Sequence, residues 1–573
     1  NLHNQQLTVN YDLPLNKIPF LSFVKSTYTY VGDFSWQRAS LASSSFETEN
    51  GDVFDLGNTI QNAGSHRLNT TFTMDTFYKY IGLVKQKKAP RAAAPKTPKP
   101  GEKVTPVKGQ VANERGLFAE TMIGILTSVK SIQIDYTENK GTVLPGYIPS
   151  IGFFGTAKPS LGFAFGNQDD VRYEAAKNGW LTSFPDFNQN FSQVVNKTLN
   201  FRATIDLLPD FKIELNGNRT YADNFSEQFD VTNGQYNSRS PYNFGNFAIS
   251  TVMLKTSFKA SDEFSSSAFE DFRYNRIVIA NRLATERGID IANPANLDAD
   301  GYPIGFGKNS QAVLIPAFLS AYTGFTSGGI GKDAEKISFN PFRNIPVPNW
   351  DIKYTGLMKL GFFKERFKRF SIQHNYKASY TINSFRSNFE NNLNPNGFDT
   401  GGNYNNKLII GNINLVEQFN PLMRVDFEMK NSVRINAEMK KDRALSMSFD
   451  NNLLTEVKGV EYVVAFGYRI KDVVFTTKLA DTPTGVTKSD INFKVDFSYR
   501  NNKTIVRYLD YNNNQLGGGQ NIWSARLSAD YSFSKSLTAI FYYDHTFSQA
   551  VISTSFPMTN IRTGFTLRYN VGN

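Results

Sequence analysis

Few side chains in this sequence have the types and the spacing that catalysis or metal binding requires. The four histidines, His3, His66, His374 and His545, are scattered, and none has the paired spacing of a zinc site. No nucleophile with a neighbouring base stands out either. We therefore predict a protein that is not an enzyme, with no catalytic residues, no cofactor and no bound metal.

Two loops come closest to ligand-binding motifs. The segment from Gly328 to Lys332 resembles the end of a phosphate-binding loop, but Asp333 stands where Ser or Thr would hold magnesium. Asn296, Asp298 and Asp300 resemble the start of a calcium loop, but its twelfth position is Gly307 instead of Glu. A glycine-rich surface loop and an Asp-initiated turn are the favoured interpretations, and calcium binding stays open.

Charged residues that recur at every second position are a stronger signal. In residues 491–500, Lys494 and Asp496 alternate with Phe493, Val495 and Phe497. Successive side chains of a strand point to opposite faces, so this pattern predicts strands with one apolar and one polar face. Residues 523–533 and 561–571 repeat it. Such strands suit a transmembrane β-barrel, which has lipid outside and water inside.

The alternation divides the candidate wall residues into two sets. We predict that the polar set faces the lumen: Asp426, Glu428, Lys430, Lys494, Asp496, Arg500, Arg526 and Asp530. We predict that the apolar set faces lipid: Phe493, Val495, Phe497, Trp523, Leu527, Tyr531, Phe565, Leu567 and Tyr569.

Composition fits a barrel and limits the alternatives. The chain has no stretch of eighteen apolar residues, which argues against a transmembrane helix, and its aromatic content is 14%. It has no cysteine, which excludes a disulfide scaffold. The net charge is +11, partly from a basic Pro/Ala-rich segment in residues 85–108. No nucleic-acid-reading motif accompanies that charge, so no nucleic-acid partner is expected.

The pattern divides the chain into wall strands and insertions. Barrel strands are expected in residues 1–84, 115–135, 194–222 and 348–573, and extracellular insertions in 136–193 and 223–347, the second with a helix near 265–287. Residues 85–114 are predicted to form a flexible periplasmic linker, either a spacer or a tether for a partner. Short turns are expected on the periplasmic side together with the C-terminus, and long loops outside.

We predict about seventeen strands in the chain. Single-chain bacterial barrels have even strand numbers, so an odd count suggests the C-terminal part of a larger barrel, unless a strand is miscounted. No signal peptide is visible at the start of the sequence, which fits a mature or internal end.

Several distinctive segments resemble one family. They include residues 13–40 (LPLNKIPFLSFVKSTYTYVGDFSWQRAS), 57–62 (GNTIQN), 238–250 (SRSPYNFGNFAIS) and 276–289 (RIVIANRLATERGI). Residues 296–318 (NLDADGYPIGFGKNSQAVLIPAF), 345–357 (IPVPNWDIKYTGL) and 501–523 (NNKTIVRYLDYNNNQLGGGQNIW) complete the set. The chain resembles the C-terminal part of the SprA/Sov family, the outer-membrane translocon of the type IX secretion system.

This resemblance implies a single-chain barrel of about 36 strands, with a lateral opening and an outer cap. It also implies a protein-conducting channel for folded substrates that carry C-terminal secretion domains, and in gliding members those substrates include cell-surface adhesins. The implied partners are a PorV-like substrate-shuttle barrel, a plug protein, other periplasmic or lipoprotein secretion components, the secreted proteins and outer-membrane lipid. The implied location is the outer membrane of a Gram-negative bacterium of the Bacteroidota type.

Two other functions fit the same strands. A nutrient transporter or diffusion porin would need a constricted lumen or an internal plug domain, and the sequence shows neither. A surface adhesin or assembly scaffold would use the large outer segments.

Overall fold

The computed structural model describes residues 2–40, 43–84, 124–152, 155–476, 486–511, 513–534, 536–552 and 555–569. The predicted linker, residues 85–114, lies outside this part of the chain. Strands account for most of the described residues, and their bounds are as follows: β1 Leu2–Leu13, β2 Val24–Gln37, β3 Phe46–Glu47, β4 Val53–Phe54, β5 Asn58–Thr73, β6 Val129–Tyr147, β7 Phe191–Leu208, β8 Phe211–Thr232, β9 Gln235–Ser250, β10 Asn349–Tyr354, β11 Phe367–Ser387, β12 Leu408–Ile410, β13 Asn412–Met429, β14 Val433–Ser448, β15 Leu453–Thr476, β16 Val486–Tyr508, β17 Asn514–Ser532, β18 Leu537–Ala550 and β19 Met558–Tyr569.

All strands except the β3–β4 hairpin belong to one 17-stranded sheet, and its pairings are antiparallel. Neighbours in the sheet are mostly neighbours in the chain, as in an up-and-down barrel wall. β9 and β10 occupy the same position in the sheet, one above the other, because each of them lies between β8 and β11. The sheet ends at β1 and β19, and no pairing joins these two strands in the described residues.

The helices occur between strands and mostly in two insertions. Their bounds are α1 Met74–Tyr80, α2 Leu161–Ala164, α3 Arg172–Lys177, α4 Leu254–Ser257, α5 Ser267–Glu286, α6 Gln311–Tyr322, α7 Lys332–Lys336, α8 Gly361–Arg366 and α9 Phe389–Leu393. Short 3₁₀ turns cover Pro14–Lys17, Pro19–Leu21, Pro294–Asn296 and Gly356–Lys359. No helix in the described residues is both long and apolar enough to cross a membrane.

The strands run well past the length that a bilayer needs. A tilted transmembrane strand requires about 9–11 residues, whereas β8 has 22 and β15 has 24. The chain reverses at one end of the sheet through turns such as Pro209 and Asp210, and β5 and β19 also end there. The opposite end carries residues 148–190, which we name the small insert, and the loop 388–407.

The larger insertion leaves the wall partway along it. Residues 251–348, which we name the outer insert, connect the end of β9 to the start of β10. α5 and α6 pack together in this insert and bury the side chains of Phe272, Ile279 and Phe318 completely. The predicted helix near 265–287 matches α5.

Several predicted boundaries differ from those of the structure. β6 continues to Tyr147 and β7 starts at Phe191, so the first insertion is shorter than 136–193. β8 continues past residue 222 and turns through Asn233 and Gly234 into β9, so most of residues 223–250 belong to the wall and not to an insertion. Both turn residues have positive φ, which the type I′ hairpin requires.

Two other differences concern merged strands. The short polar runs Lys471–Asp472 and Asn501–Lys503 look like turns in the sequence but lie within β15 and β16, so each of these is one long strand. At Lys471–Asp472 the pairing of β15 with β16 shifts its register, between Ile470 and Val473. Another shift, between Phe419 and Met423 of β13, contains Pro421. The fold as a whole is an all-β, antiparallel transmembrane β-barrel wall of the outer-membrane type, as predicted.

Candidate conducting wall and its outer insert

The sheet has one face that is polar along nearly its whole width. Directly paired residues share a face, so the register assigns each side chain across neighbouring strands. Asn, Thr, Ser and Gln dominate this face from β1 to β8, and charged residues join them from β11 to β19. We name it the polar face. A surface of this kind is stable only against water.

The predicted lumen residues come together on the polar face. Asp496 lies directly opposite Arg526, and Asn492 lies opposite Asp530 and donates a hydrogen bond to it at 2.8 Å. Asp426, Glu428, Lys494 and Arg500 share the same face through the register of β13 to β17. Lys430 follows the last residue of β13 and lies in the turn to β14.

Ion pairs neutralise much of the charge on this face. Arg369 meets Asp426 at 3.1 Å, and Arg434 meets Glu428 at 3.0 Å. Arg500 bridges two acidic partners on neighbouring strands, Asp442 at 3.1 Å and Glu461 at 3.3 Å. The wall is therefore hydrated without a strong field of either sign.

The opposite face, named the apolar face, carries all the predicted lipid-facing residues. Phe493, Val495 and Phe497 of β16 share it with Trp523, Leu527 and Tyr531 of β17 and with Phe565, Leu567 and Tyr569 of β19. Most are well exposed, and Phe497 is 57% exposed. Tyr531 differs, since it is only 7% exposed and packs against Phe475 and Phe533 with centroid distances of 4.8 and 5.0 Å.

Aromatic residues border this apolar face above and below. Tyr462, Tyr499, Trp523 and Phe547 lie opposite one another on four successive strands. The cluster around Tyr531 and Phe533 lies at the other border. A strand that rises ~3.3 Å per residue at a tilt of about 40° gains about 25 Å of height between Trp523 and Phe533. That is the height of the apolar band between aromatic girdles in outer-membrane barrels.

Above the upper aromatic row, the apolar face contains charged residues that the outer insert covers. Arg443 of β14 and Glu417 of β13 are almost fully buried and lie 3.2 Å apart. The Tyr376 hydroxyl donates to Glu417 at 2.9 Å, and Ser257 of the insert donates to the same carboxylate. These charges lie on the lipid-side face, yet the insert excludes both lipid and water from them.

A second buried pair anchors the insert further along the wall. Arg507 of β16 is completely buried and lies 2.9 Å from Glu456 of β15. Ser261 of the insert donates to Glu456 at 2.6 Å and accepts from Arg507 at 2.8 Å. Lys441 and Lys458 donate to the carbonyl oxygens of Ser257 and Ser261. Four cationic side chains of three strands thus hold one short segment of the insert.

None of these anchor residues was predicted from the sequence. A signal for them exists, because Glu417 interrupts the apolar series Ile413, Leu415 and Phe419 on one face of β13. A charge within an apolar stripe predicts cover by another part of the chain, since an uncovered charge against lipid is costly.

The small insert uses the same face in the other half of the sheet. The Tyr30 hydroxyl donates to the Phe165 carbonyl at 2.6 Å, and Asn62 donates to the Asn167 carbonyl at 2.7 Å. Arg172 of this insert forms an ion pair with the buried Glu227 of β8. Burial alone would lower the pKa of Arg172, but the hydrogen bond that Arg172 donates to Asp170 and the charge of Glu227 raise it. Both inserts therefore cover the upper part of the apolar face.

The two ligand-like loops have their polar groups engaged within the chain. The Asp298 side chain accepts from the backbone N–H groups of Asp300 and Tyr302 at 2.9 and 2.8 Å. Lys308 lies 2.7 Å from Asp300, and their hydrogen bond raises the pKa of Lys308. Asp333, beside the glycine-rich loop, pairs with Lys255 at 2.9 Å. Across the described residues, no group of three or more His, Asp or Glu side chains is placed to hold a metal.

Comparison with known proteins gives similarity to solved structures only. No protein-family model and no curated protein matches the chain. The copper transporter OprC is 7% identical over 96% of this chain and 61% of its own, with a TM-score of 0.25. The ferric-catecholate import receptor Fiu of E. coli K12 is 7% identical over 97% and 64%, with a TM-score of 0.26. The RagAB peptide transporter is 7% identical over 94% and 50%, with a TM-score of 0.25. The chain spans half to two thirds of the length of these proteins.

Proposed function

We propose that this chain forms part of the wall of a protein-conducting outer-membrane channel, the translocon of the type IX secretion system. In this role it passes folded proteins with C-terminal secretion domains to the cell surface. The observation that carries the proposal is a continuous polar face that ends at two strands, β1 and β19, whose outer edges pair with no other strand in the described part of the chain.

The edges support a barrel larger than this sheet. Unpaired N–H and C=O groups of a strand within lipid each cost several kcal/mol, so β1 and β19 require further strands beside them. Each tilted strand occupies roughly 6 Å of circumference. A barrel of about 36 strands then has a backbone diameter of about 70 Å, which is wide enough for a folded domain.

The surface of the polar face fits passage better than capture. Paired charges and small polar side chains present few apolar patches to which a moving protein would adhere. The pairing of Arg500 with Asp442 and Glu461 is typical, since it leaves little net charge. A wall of this kind suits many different cargo proteins.

The resemblance supports the finer parts of the proposal. The segments that resemble the family include β9, much of α5, β10 and the hairpin of β16 and β17. We infer partners of the same kinds, namely a PorV-like shuttle barrel, a plug protein and periplasmic or lipoprotein components. We also infer that the linker and the end of β19 lie on the periplasmic side of a Bacteroidota-type outer membrane.

Deletion of the gene tests this function. We expect proteins with C-terminal secretion domains to accumulate in the periplasm, as measured by quantitative proteomics of periplasm and medium, and complementation to restore their release. Normal release together with defective uptake of a nutrient would contradict the proposal and support a nutrient transporter instead.

A further inference from the structure

A cleft lies between the outer insert and the apolar face of the wall, where β9 pairs with β11. Its volume is about 260 Å³, and its lining includes Ile249, Leu319, Val347, Tyr380, Arg343 and Ile345. Directly below it, Trp350, the second residue of β10, stacks on Tyr376 at a centroid distance of 4.4 Å. The cleft is therefore placed where the wall passes from acyl chains to lipid headgroups.

Most of the cleft is apolar, but it contains two polar side chains that make no hydrogen bond or ion pair with the described residues. Tyr380 is 1% exposed, and its hydroxyl makes no hydrogen bond with a described residue. Among the same residues, no hydrogen bond or ion pair engages the Arg343 guanidinium, and burial lowers the pKa of this arginine. Buried polar groups in native proteins nearly always have partners, so the Tyr380 hydroxyl indicates a missing ligand, and the half-buried Arg343 guanidinium lines the same cleft.

The mouth of the cleft is apolar and open. Ile345 is 82% exposed and Phe325 is 56% exposed, although both lie at the edge of a well-packed insert. Phe258, on the same side of the insert, is 63% exposed and packs against Phe419 of the apolar face. Such side chains are stable against acyl chains and unfavourable against water.

We propose that this cleft binds one acyl chain of a phosphate-bearing membrane lipid, with Arg343 and Tyr380 placed to meet its polar head. The volume is below the 300–1,000 Å³ typical of small-molecule sites, which fits a single chain better than a whole lipid. An arginine is well suited to a phosphate, because its planar fork forms paired charge-assisted hydrogen bonds. This inference depends on the apolar face lying against lipid and not on the cargo of the channel.

A fluorescence experiment on the whole purified protein tests the site. The chain has no cysteine, so Ile345→Cys in the otherwise native protein accepts a single bimane label at the mouth. Phosphatidylglycerol with a nitroxide on one acyl chain is added in detergent, and quenching is followed against lipid concentration. The same titration with nitroxide phosphatidylcholine and competition by inorganic phosphate distinguish an anionic lipid, any lipid and free phosphate.

We expect saturable quenching by phosphatidylglycerol. Replacing Arg343 by Gln should raise the half-quenching concentration about tenfold, the effect of losing one charge-assisted hydrogen bond. Val347→Phe should fill the cleft and abolish saturable quenching by either lipid. Arg67→Gln, which changes an exposed arginine of the polar face, should have no effect.

Equal, unsaturable quenching in all variants would overturn the proposal, because it would show only bulk detergent and lipid near the label. Competition by inorganic phosphate together with no effect of Val347→Phe would overturn it as well, because the site would then recognise phosphate and not the acyl chain. Val347→Phe could disturb the fold of the insert, so heat-modified migration in gels checks that each variant has its native form. If Val347→Phe alone has lost that form, the Arg343→Gln result decides the test.

Discussion

At the scale of single residues, the buried ion pairs explain why charges occur on a face that otherwise meets lipid. Breaking such a pair leaves a buried charge without compensation, at a cost of about 3–5 kcal/mol. We therefore expect Arg443→Met to release the outer insert, because Glu417 loses its counter-charge. Limited proteolysis of residues 251–348 in purified protein measures this release.

The matched control is Arg434→Met on the polar face. Arg434 also pairs with a glutamate, but its side chain is 58% exposed, and exposed pairs contribute only about 0–1 kcal/mol. Equal proteolysis of the two variants would show that the buried pair does not hold the insert.

A second residue-scale effect depends on pH. The backbone N–H groups of Ser265 and Phe264 donate to the Asp262 carboxylate and lower its pKa. A lowered folded-state pKa means that the stabilisation is present above the ordinary value, about 3.9, and is lost as the pH falls through the folded value. A spin label at Phe264→Cys should therefore become more mobile only below about pH 4.

Asp262→Asn supplies the comparison, because asparagine can accept the same hydrogen bonds but does not titrate. Its label should show the same mobility at every pH at which the barrel remains folded. A transition near the same pH in both proteins would assign the change to other groups.

At the scale of elements, the hairpin between β8 and β9 depends on its two turn residues. Gly234 has a φ of 73°, which residues with a Cβ rarely adopt, and its neighbourhood has room for a methyl group. Gly234→Ala should thus destabilise the hairpin by about 1–2 kcal/mol through backbone strain alone. Hydrogen exchange of the β8 and β9 amides measures the local opening.

Gly518→Ala is the control, since Gly518 of β17 has open space and no positive φ. It should leave exchange in its own hairpin nearly unchanged. Similar protection losses in both hairpins would contradict a conformational role for Gly234.

This hairpin also shows what the sequence could and could not predict. Asn-Gly between two strand-like segments is a strong hairpin signal, so β9 was predictable and was missed. The continuation of β16 through Asn501–Lys503 was not predictable, because a short polar run looks like a turn until neighbouring strands are seen to pair with it on both sides. Alternation alone identified the two faces, since a period of two needs no tertiary information.

At the scale of the whole molecule, the inserts could not be placed from the sequence. Their helices have local signals, but docking depends on Arg443, Arg507 and their glutamates, which are far apart in the chain. The covering of the upper apolar face explains why the strands are longer than a bilayer requires. The lower part of that face lies against lipid, and the upper part supports the inserts.

One face of the sheet meets water and the other meets lipid. Ser528 and Ala529 are neighbours on β17 and lie on the polar and the apolar face. With each changed to cysteine in the native barrel in membranes, a membrane-impermeant maleimide should label Ser528→Cys rapidly and leave Ala529→Cys unlabelled until detergent is added. Rapid labelling of Ala529→Cys together with protection of Ser528→Cys would contradict the account.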